Sequence, residues 1–212
     1  MEVFAGMSST IQTEATVFVV DDDEPVRDSI ALLLRSVGLR ASTFANAGEF
    51  LDSHDPESRG CLVLDVRLPG MSGLDLQREL DKRGTDLPIV FITGHGDVPM
   101  AVRAMQSGAV DFLQKPFSDQ DLLDRVQQAI AEQAERRAER ESRAHITEKL
   151  AQLTPREAEV LHRVVKGEAN KVIANRLELS QRTVEVHRAH IMRKLEVRSL
   201  AQLVRMVMAV GE

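Results

Sequence analysis

The sequence predicts a two-part chain. The first part is an α/β domain, a doubly wound (βα)5 parallel sheet ordered 2-1-3-4-5. A long linker helix and an all-α, four-helix helix-turn-helix domain follow. Three observations predict this. Apolar runs of strand length alternate with helix-period stretches five times in about 110 residues, the pattern of βα units. Past Lys115-Pro116 the sequence continues without Gly or Pro from Asp121 to His145, as one long helix requires. Charge also divides: residues 1–124 carry 10 Lys and Arg against 21 Asp and Glu, and residues 147–212 carry 12 against 8. Modules of opposite sign suggest different partners.

Residues 1–15 lack periodicity and are expected to form a flexible leader, and Met7 could serve as the start. The α/β domain is expected over 16–130, the helical linker over 131–146 and the helix-turn-helix domain over 147–212. Thr16–Val20 is the first strand, and Pro25 suits the first turn of the helix after it. Ile30, Leu33, Leu34 and Val37 give that helix an apolar stripe, which Gly38 ends. Leu39–Phe44 reads as the second strand and Ala47–Asp52 as a short helix. The run Cys61-Leu62-Val63-Leu64 leads into Asp65 and a Pro69-Gly70 turn, as a strand buried on both faces should. A helix over Gly73–Arg83, a strand over Leu87–Thr93 opening on Pro88, a helix over Val98–Ser107 and a strand over Val110–Leu113 complete the sheet. The next helix starts near Ser118.

In the C-terminal part, Thr154-Pro155-Arg156-Glu157 is a capping box with Pro at the first helical position. Asn170 is expected to cap the next helix and Ser180 the one after, with Glu178-Leu179-Ser180 as the tight turn between them. A fourth helix begins near Ser199. In the linker, Glu132/Arg136 and Glu139/Arg143 are oriented to pair at i,i+4. A solvated helix is the expected form, with a dimerising coiled coil as the alternative.

Composition removes several classes. With 43% apolar and 28% charged residues the chain is neither disordered nor a membrane protein, since no apolar run approaches a span. No secretory signal opens it, and a single cysteine, Cys61, cannot form an internal disulfide. The expected location is cytoplasmic.

Polar groups fall at the strand ends in an informative order. Asp21 and Asp22 follow the first strand, Asp65 ends the third, Thr93 the fourth, and Lys115 follows the fifth. Open α/β sheets place their chemistry there, at the carboxyl ends beside the switch point. Crowded carboxylates repel, and Mg²⁺, which favours oxygen ligands, relieves the repulsion. Asp65 could then attack a phosphoryl group to form an acyl phosphate, with Lys115 neutralising its oxygens and Thr93 donating a hydroxyl hydrogen bond. Taken singly, Asp23 is a helix cap, Asp21 and Asp22 could be turn residues, and Lys115 could be a loop charge. The five positions together argue for a pocket.

Val19-Val20-Asp21-Asp22, Leu64 through Gly70, Phe91-Ile92-Thr93 and Lys115-Pro116-Phe117 resemble the receiver domain of two-component response regulators. The resemblance implies that a histidine kinase donates a phosphoryl group to Asp65. It implies that Asp22 and Asp65 ligate Mg²⁺, with Asp21 assisting and the backbone carbonyl of Arg67 as a further ligand. It marks Phe112 and Thr93 as switch residues and the peptide before Pro116 as cis. Gly94 through Ala101 resembles the FixJ-type subgroup, which includes regulators of aromatic-compound degradation; His95 within it reads as exposed and inert.

Leu153 through Glu157, Asn170-Lys171, Thr183-Val184, His187-Arg188 and Lys194-Leu195 resemble the LuxR/NarL-type helix-turn-helix. Gln181–Leu195 is then the recognition helix. With Val184 buried, helical geometry places Arg182, Val186, Ala189, His190 and Arg193 on the opposite face. Arg188 and Lys194 lie toward the edges, where phosphates are met. Thr183 and Glu185 complete the candidate DNA contacts. Glu185, Val186 and Ala189 stand where relatives contact bases, and two of these positions are often Lys in one branch. His187 leans inward, as a packing or a contact residue.

The expected function is a non-enzymatic response regulator, an activator of transcription. Phosphorylation of Asp65 would draw Thr93 and Phe112 inward and turn the surface of the 98–107 helix and fifth strand into a homodimer contact. Double-stranded promoter DNA and RNA polymerase are the further partners, and no membrane is involved. A phosphohydrolase competes, although the general-acid Asp wanted two residues after the nucleophile is Arg67 here. An unphosphorylated dimerisation module is the other competitor.

Overall fold

The computed structural model describes residues 15–94 and 108–210. The helix expected over 98–107, and His95, lie outside them. The chain divides into two compact units, one ending at Arg136 and the next beginning at Arg137.

In the first unit, β1 (Thr16–Val20), β2 (Arg40–Phe44), β3 (Gly60–Asp65), β4 (Ile89–Thr93) and β5 (Asp111–Gln114) form one parallel sheet ordered β2-β1-β3-β4-β5. This is the expected order. β4 starts at Ile89 and not at Leu87: Pro88 has no N–H for the ladder, although its carbonyl still accepts from Leu62 N at 2.9 Å. β5 is shifted by one residue, to Asp111–Gln114.

Strand alternation builds two cores. Val17, Val19, Cys61, Val63, Val90, Ile92 and Leu113 face α1 (Glu24–Ser36) and the start of α4 (Asp119–Ala151). Phe18, Val20, Leu62, Leu64 and Phe91 face α2 (Ala47–Ser53) and α3 (Gly73–Lys82), with Phe112 half-buried against them. Burial pushes the Cys61 thiol up to about 12, so it is an inert core group.

Asn46 and Ser72 cap α2 and α3 through their side chains. Asp23 occupies the cap position of α1 without a side-chain cap bond. Its backbone N–H is turned instead toward Asp21 Oδ1, at 2.9 Å.

The segment 131–146 is part of α4, which runs unbroken for 33 residues. In its first half Gln133 is buried and makes three bonds at the end of the sheet opposite the acidic residues. Its Oε1 accepts from Gly60 N at 2.6 Å, and its Nε2 donates to Ser58 O at 3.2 Å and Asp86 O at 2.8 Å. Arg136, one turn on, pairs with Asp86 at 3.1 Å and lies 3.9 Å from Glu132, the expected i,i+4 partner.

The second unit contains α5 (Pro155–Val165), α6 (Asn170–Leu177), α7 (Gln181–Lys194) and α8 (Leu200–Met208) around Val160, Leu161, Val164, Ile173, Ala174, Val184, Ile191, Leu195 and Leu203. The capping box at Thr154 forms in both directions. Asn170 is not a cap; it is the first residue of α6, behind Ala169. Glu178 adopts the left-handed conformation (φ 55°) that ends α6 and turns the chain toward α7.

Candidate acidic pocket and helix-turn-helix face

Residues 17, 19 and 21, 61, 63 and 65, and 113 and 115 share one parity of alternation. Continuing the β1, β3 and β5 pattern past the strand ends therefore brings Asp21, Asp65 and Lys115 to the same side. Lys115 Nζ lies 2.5 Å from Asp21 Oδ2 and 2.7 Å from Asp65 Oδ2. Carboxylate oxygens of Asp21, Asp22 and Asp65 all lie within 4.8 Å of one another. The other Asp65 oxygen accepts from Arg67 N at 2.8 Å, so the Arg67 peptide lies against it.

Accessibility separates the three acids. Asp21 is 0% exposed and Asp65 7%, while Asp22 is open to solvent. Burial raises the Asp21 carboxyl above its ordinary range, with Lys115 and the Asp23 N–H opposing. Burial also pulls on the Lys115 ammonium, but its bonds to Asp21 and Asp65 outweigh this and hold it above its ordinary value. Lys115 is therefore charged. Three carboxylates face one ammonium, and these hard oxygen donors fit a cation such as Mg²⁺.

Thr93 is buried at the end of β4, and its carbonyl accepts from Lys115 N at 2.8 Å. It falls on the opposite parity, that of Phe91, which pairs with Phe112 in the ladder. Thr93 and Phe112 thus share a face of the sheet. The peptide between Lys115 and Pro116 is cis.

Two further residues shape the pocket. Arg27 Nη1 donates to Asp21 O at 2.6 Å and fixes the turn that carries both leading acids. Gly73 N donates to Val66 O at 3.0 Å, and a Cβ at this glycine would stand 2.3 Å from Asp65 O. Apolar periodicity gives no sign of either, because both meet backbone atoms just past a strand end and no apolar side chain takes part.

In the second unit, α7 seats on α5 and α6 through polar ties. Lys194 Nζ donates to Glu157 Oε2 at 2.7 Å and Gln152 O at 3.2 Å. Arg188 Nη1 donates to Asn170 Oδ1 at 3.0 Å. Both lie toward the edges of the face read as DNA-contacting, and without DNA both side chains tie the helix to its neighbours. Thr183 is tied to Ser180, its Oγ1 2.8 Å from the Ser180 hydroxyl. His190 is half-buried, with Nδ1 3.8 Å from Glu157 Oε1. Arg182, Glu185, Val186, Ala189 and Arg193 are exposed.

Glu157 is buried at the centre of these ties. The Lys194 ammonium and the Thr154 N–H pull its carboxyl down to about 2 from an ordinary 4.5. A depressed carboxylate stabilises the fold above the unfolded value and loses that contribution as pH falls through the folded one. Thermal melts should therefore show the second unit weakening between about pH 4.5 and about pH 2. Glu157→Gln should flatten that slope, and identical slopes in the two chains would refute the assignment.

Residues 17–127 match the family "Response regulator receiver domain", and residues 151–207 match "Bacterial regulatory proteins, luxR family". The chain is 48% identical over 206 residues to Nodulation protein W of Bradyrhizobium diazoefficiens, covering 97% of this chain and 91% of that protein. It is 47% identical to the transcriptional regulatory protein FixJ of Azorhizobium caulinodans, covering 92% of each. Among solved structures, the response regulator StyR superposes with a TM-score of 0.85 at 51% identity, over 92% of this chain and 98% of that one.

Proposed function

Because this chain belongs to the FixJ-like two-component response regulators, non-enzymatic proteins that join a receiver to a LuxR-type DNA-binding domain, we propose that phosphorylation of Asp65 switches its dimerisation and promoter binding. The carrying observation is the Lys115 ammonium bonded to both Asp21 and Asp65 beside the exposed Asp22. An Asp65 oxygen attacks the phosphorus of a kinase phosphohistidine. The P–N bond breaks, the histidine keeps the electron pair, and an acyl phosphate forms. Of the two acids bonded to Lys115, Asp21 is sealed from solvent and Asp65 is not, which supports Asp65 as the acceptor. Lys115 then binds a phosphoryl oxygen, and Arg27 keeps the acidic turn in place.

Asp21, Asp22, Asp65 and the Arg67 carbonyl are the proposed holders of Mg²⁺, which when bound supplies positive charge against the phosphoryl oxygens. Thr93 and Phe112 are the proposed switch, and their shared face supports this. We assign the receiver to 16–130, the linker to 131–146 and the DNA-binding domain to 147–212.

For DNA, the exposed face of α7 is the reading surface. Leu200, Val204 and Met208 recur every four residues on α8, with Leu200 45% and Met208 61% exposed; this apolar stripe supports pairing of two copies. Activation through RNA polymerase and a cytoplasmic location complete the reading; among the described residues no helix is long and apolar enough to cross a membrane.

Incubating the full chain with Mg²⁺ and acetyl phosphate should yield about one hydroxylamine-labile phosphoryl group per chain. Light scattering should then report a doubled mass. Chelation should abolish the label. A chain that binds DNA and dimerises without any label would overturn the reading.

A further inference from the structure

We propose that Glu185 is a specificity determinant that reads the exocyclic amino group of a cytosine in the major groove. The inference rests on the DNA-reading role of α7. Glu185 is the sole acidic residue among the fourteen of that helix, whose basic residues are Arg182, Arg188, Arg193 and Lys194. It is exposed, and among the described residues its side chain makes no hydrogen bond or ion pair. Its neighbour three positions on, Arg188, is committed to Asn170. The carboxylate therefore stands unpaired in the N-terminal half of the second helix, the part that approaches base edges.

An unpaired carboxylate on a DNA-facing helix is repelled by phosphates and lowers non-specific affinity. Its chemistry gives it one favourable use there. A carboxylate accepts hydrogen bonds and donates none. Adenine offers an amino donor beside the N7 acceptor, which suits an amide and opposes a carboxylate; the major-groove edge of cytosine offers the N4 amino donor alone. Cytosine is therefore the match. Arg182 lies three residues back, about 60° around the helix, and offsets the charge of Glu185 against the nearby backbone. Val186 is 47% exposed and presents only apolar surface, so it does not compete for the amino group.

The test is binding-site selection from a randomised duplex pool, using the full chain with acetyl phosphate, as wild type, Glu185→Ala and Glu185→Gln. Both replacements are good helix formers on an exposed face, so the fold is retained. The wild type should fix cytosine at one position per half-site. Glu185→Ala should lose that preference alone, by roughly ten- to hundred-fold in discrimination. Glu185→Gln should move the same position toward adenine. If all three chains select one motif and the Ala variant simply binds every duplex more tightly, Glu185 only repels phosphates and the inference is overturned. A wild-type chain that selects no motif overturns the DNA-reading role itself, a separate failure.

Discussion

Asp65→Asn should take up no phosphoryl group, and its promoter binding should not respond to acetyl phosphate. The amide nearly matches the carboxylate in shape. Its single oxygen can keep only one of the two donors, Arg67 N at 2.8 Å from Oδ1 or Lys115 Nζ at 2.7 Å from Oδ2, because the amide nitrogen donates and does not accept. Lys115 keeps its bond to Asp21, so the pocket stays assembled. What disappears is the nucleophile. Removing a covalent nucleophile costs on the order of 10⁶ in rate, which puts labelling below detection. Stability should move the other way or stay level, since one of three crowded carboxylates has lost its charge. A labelled Asn variant, or one whose DNA binding still rises with phosphodonor, would move the acceptor elsewhere.

Gly60→Ala should produce the largest loss of stability. Gly60 opens β3 at φ 139°, a conformation L side chains avoid, and an added Cβ would lie 1.8 Å from Thr16 O. Thr16 is its ladder partner on β1, so the obstacle is backbone and cannot rotate away. Backbone strain of this kind costs about 1–3 kcal/mol, and overpacking costs a similar ~1–3 kcal/mol. Together these are a large part of the ~5–15 kcal/mol that holds a domain folded. Urea melts followed by circular dichroism should show the receiver midpoint collapsing. A shift below about 1 kcal/mol would mean that β1 and β3 can separate cheaply at this end.

The sheet and the acidic pocket were legible because both follow from strand alternation. Apolar runs locate the strands, and the residues just past them inherit a face. That is how Asp21, Asp65 and Lys115 could be brought together from sequence, although 94 residues separate the first from the last. Contacts made to backbone groups were not legible. Arg27, Gly73 and Gln133 each meet a carbonyl or N–H whose position only the folded chain defines. Charge alone was also silent on partners: the ties of Arg188 to Asn170 and of Lys194 to Glu157 are visible only in the folded chain. The caps divide similarly. Ser180 and Thr154 cap as expected, whereas Asn170 lies one residue inside its helix.

Gln133 constrains how a signal can use α4. A helix sliding along the sheet by one turn, about 5.4 Å, would carry Gln133 away from Gly60 N, Ser58 O and Asp86 O together. Leaving a buried backbone group without its partner costs about 1–3 kcal/mol. Gly60 N and the Gln133 side chain are buried and would be stranded outright, while the Ser58 and Asp86 carbonyls are partly buried. The first half of α4 is therefore riveted at a point remote from Asp65, and axial translation is closed to it as a mode of response. Rotation about the rivet, or fraying beyond Arg136, leaves those bonds intact, so a phosphorylation signal carried by this helix would travel as a change of angle or of order, with the register unchanged.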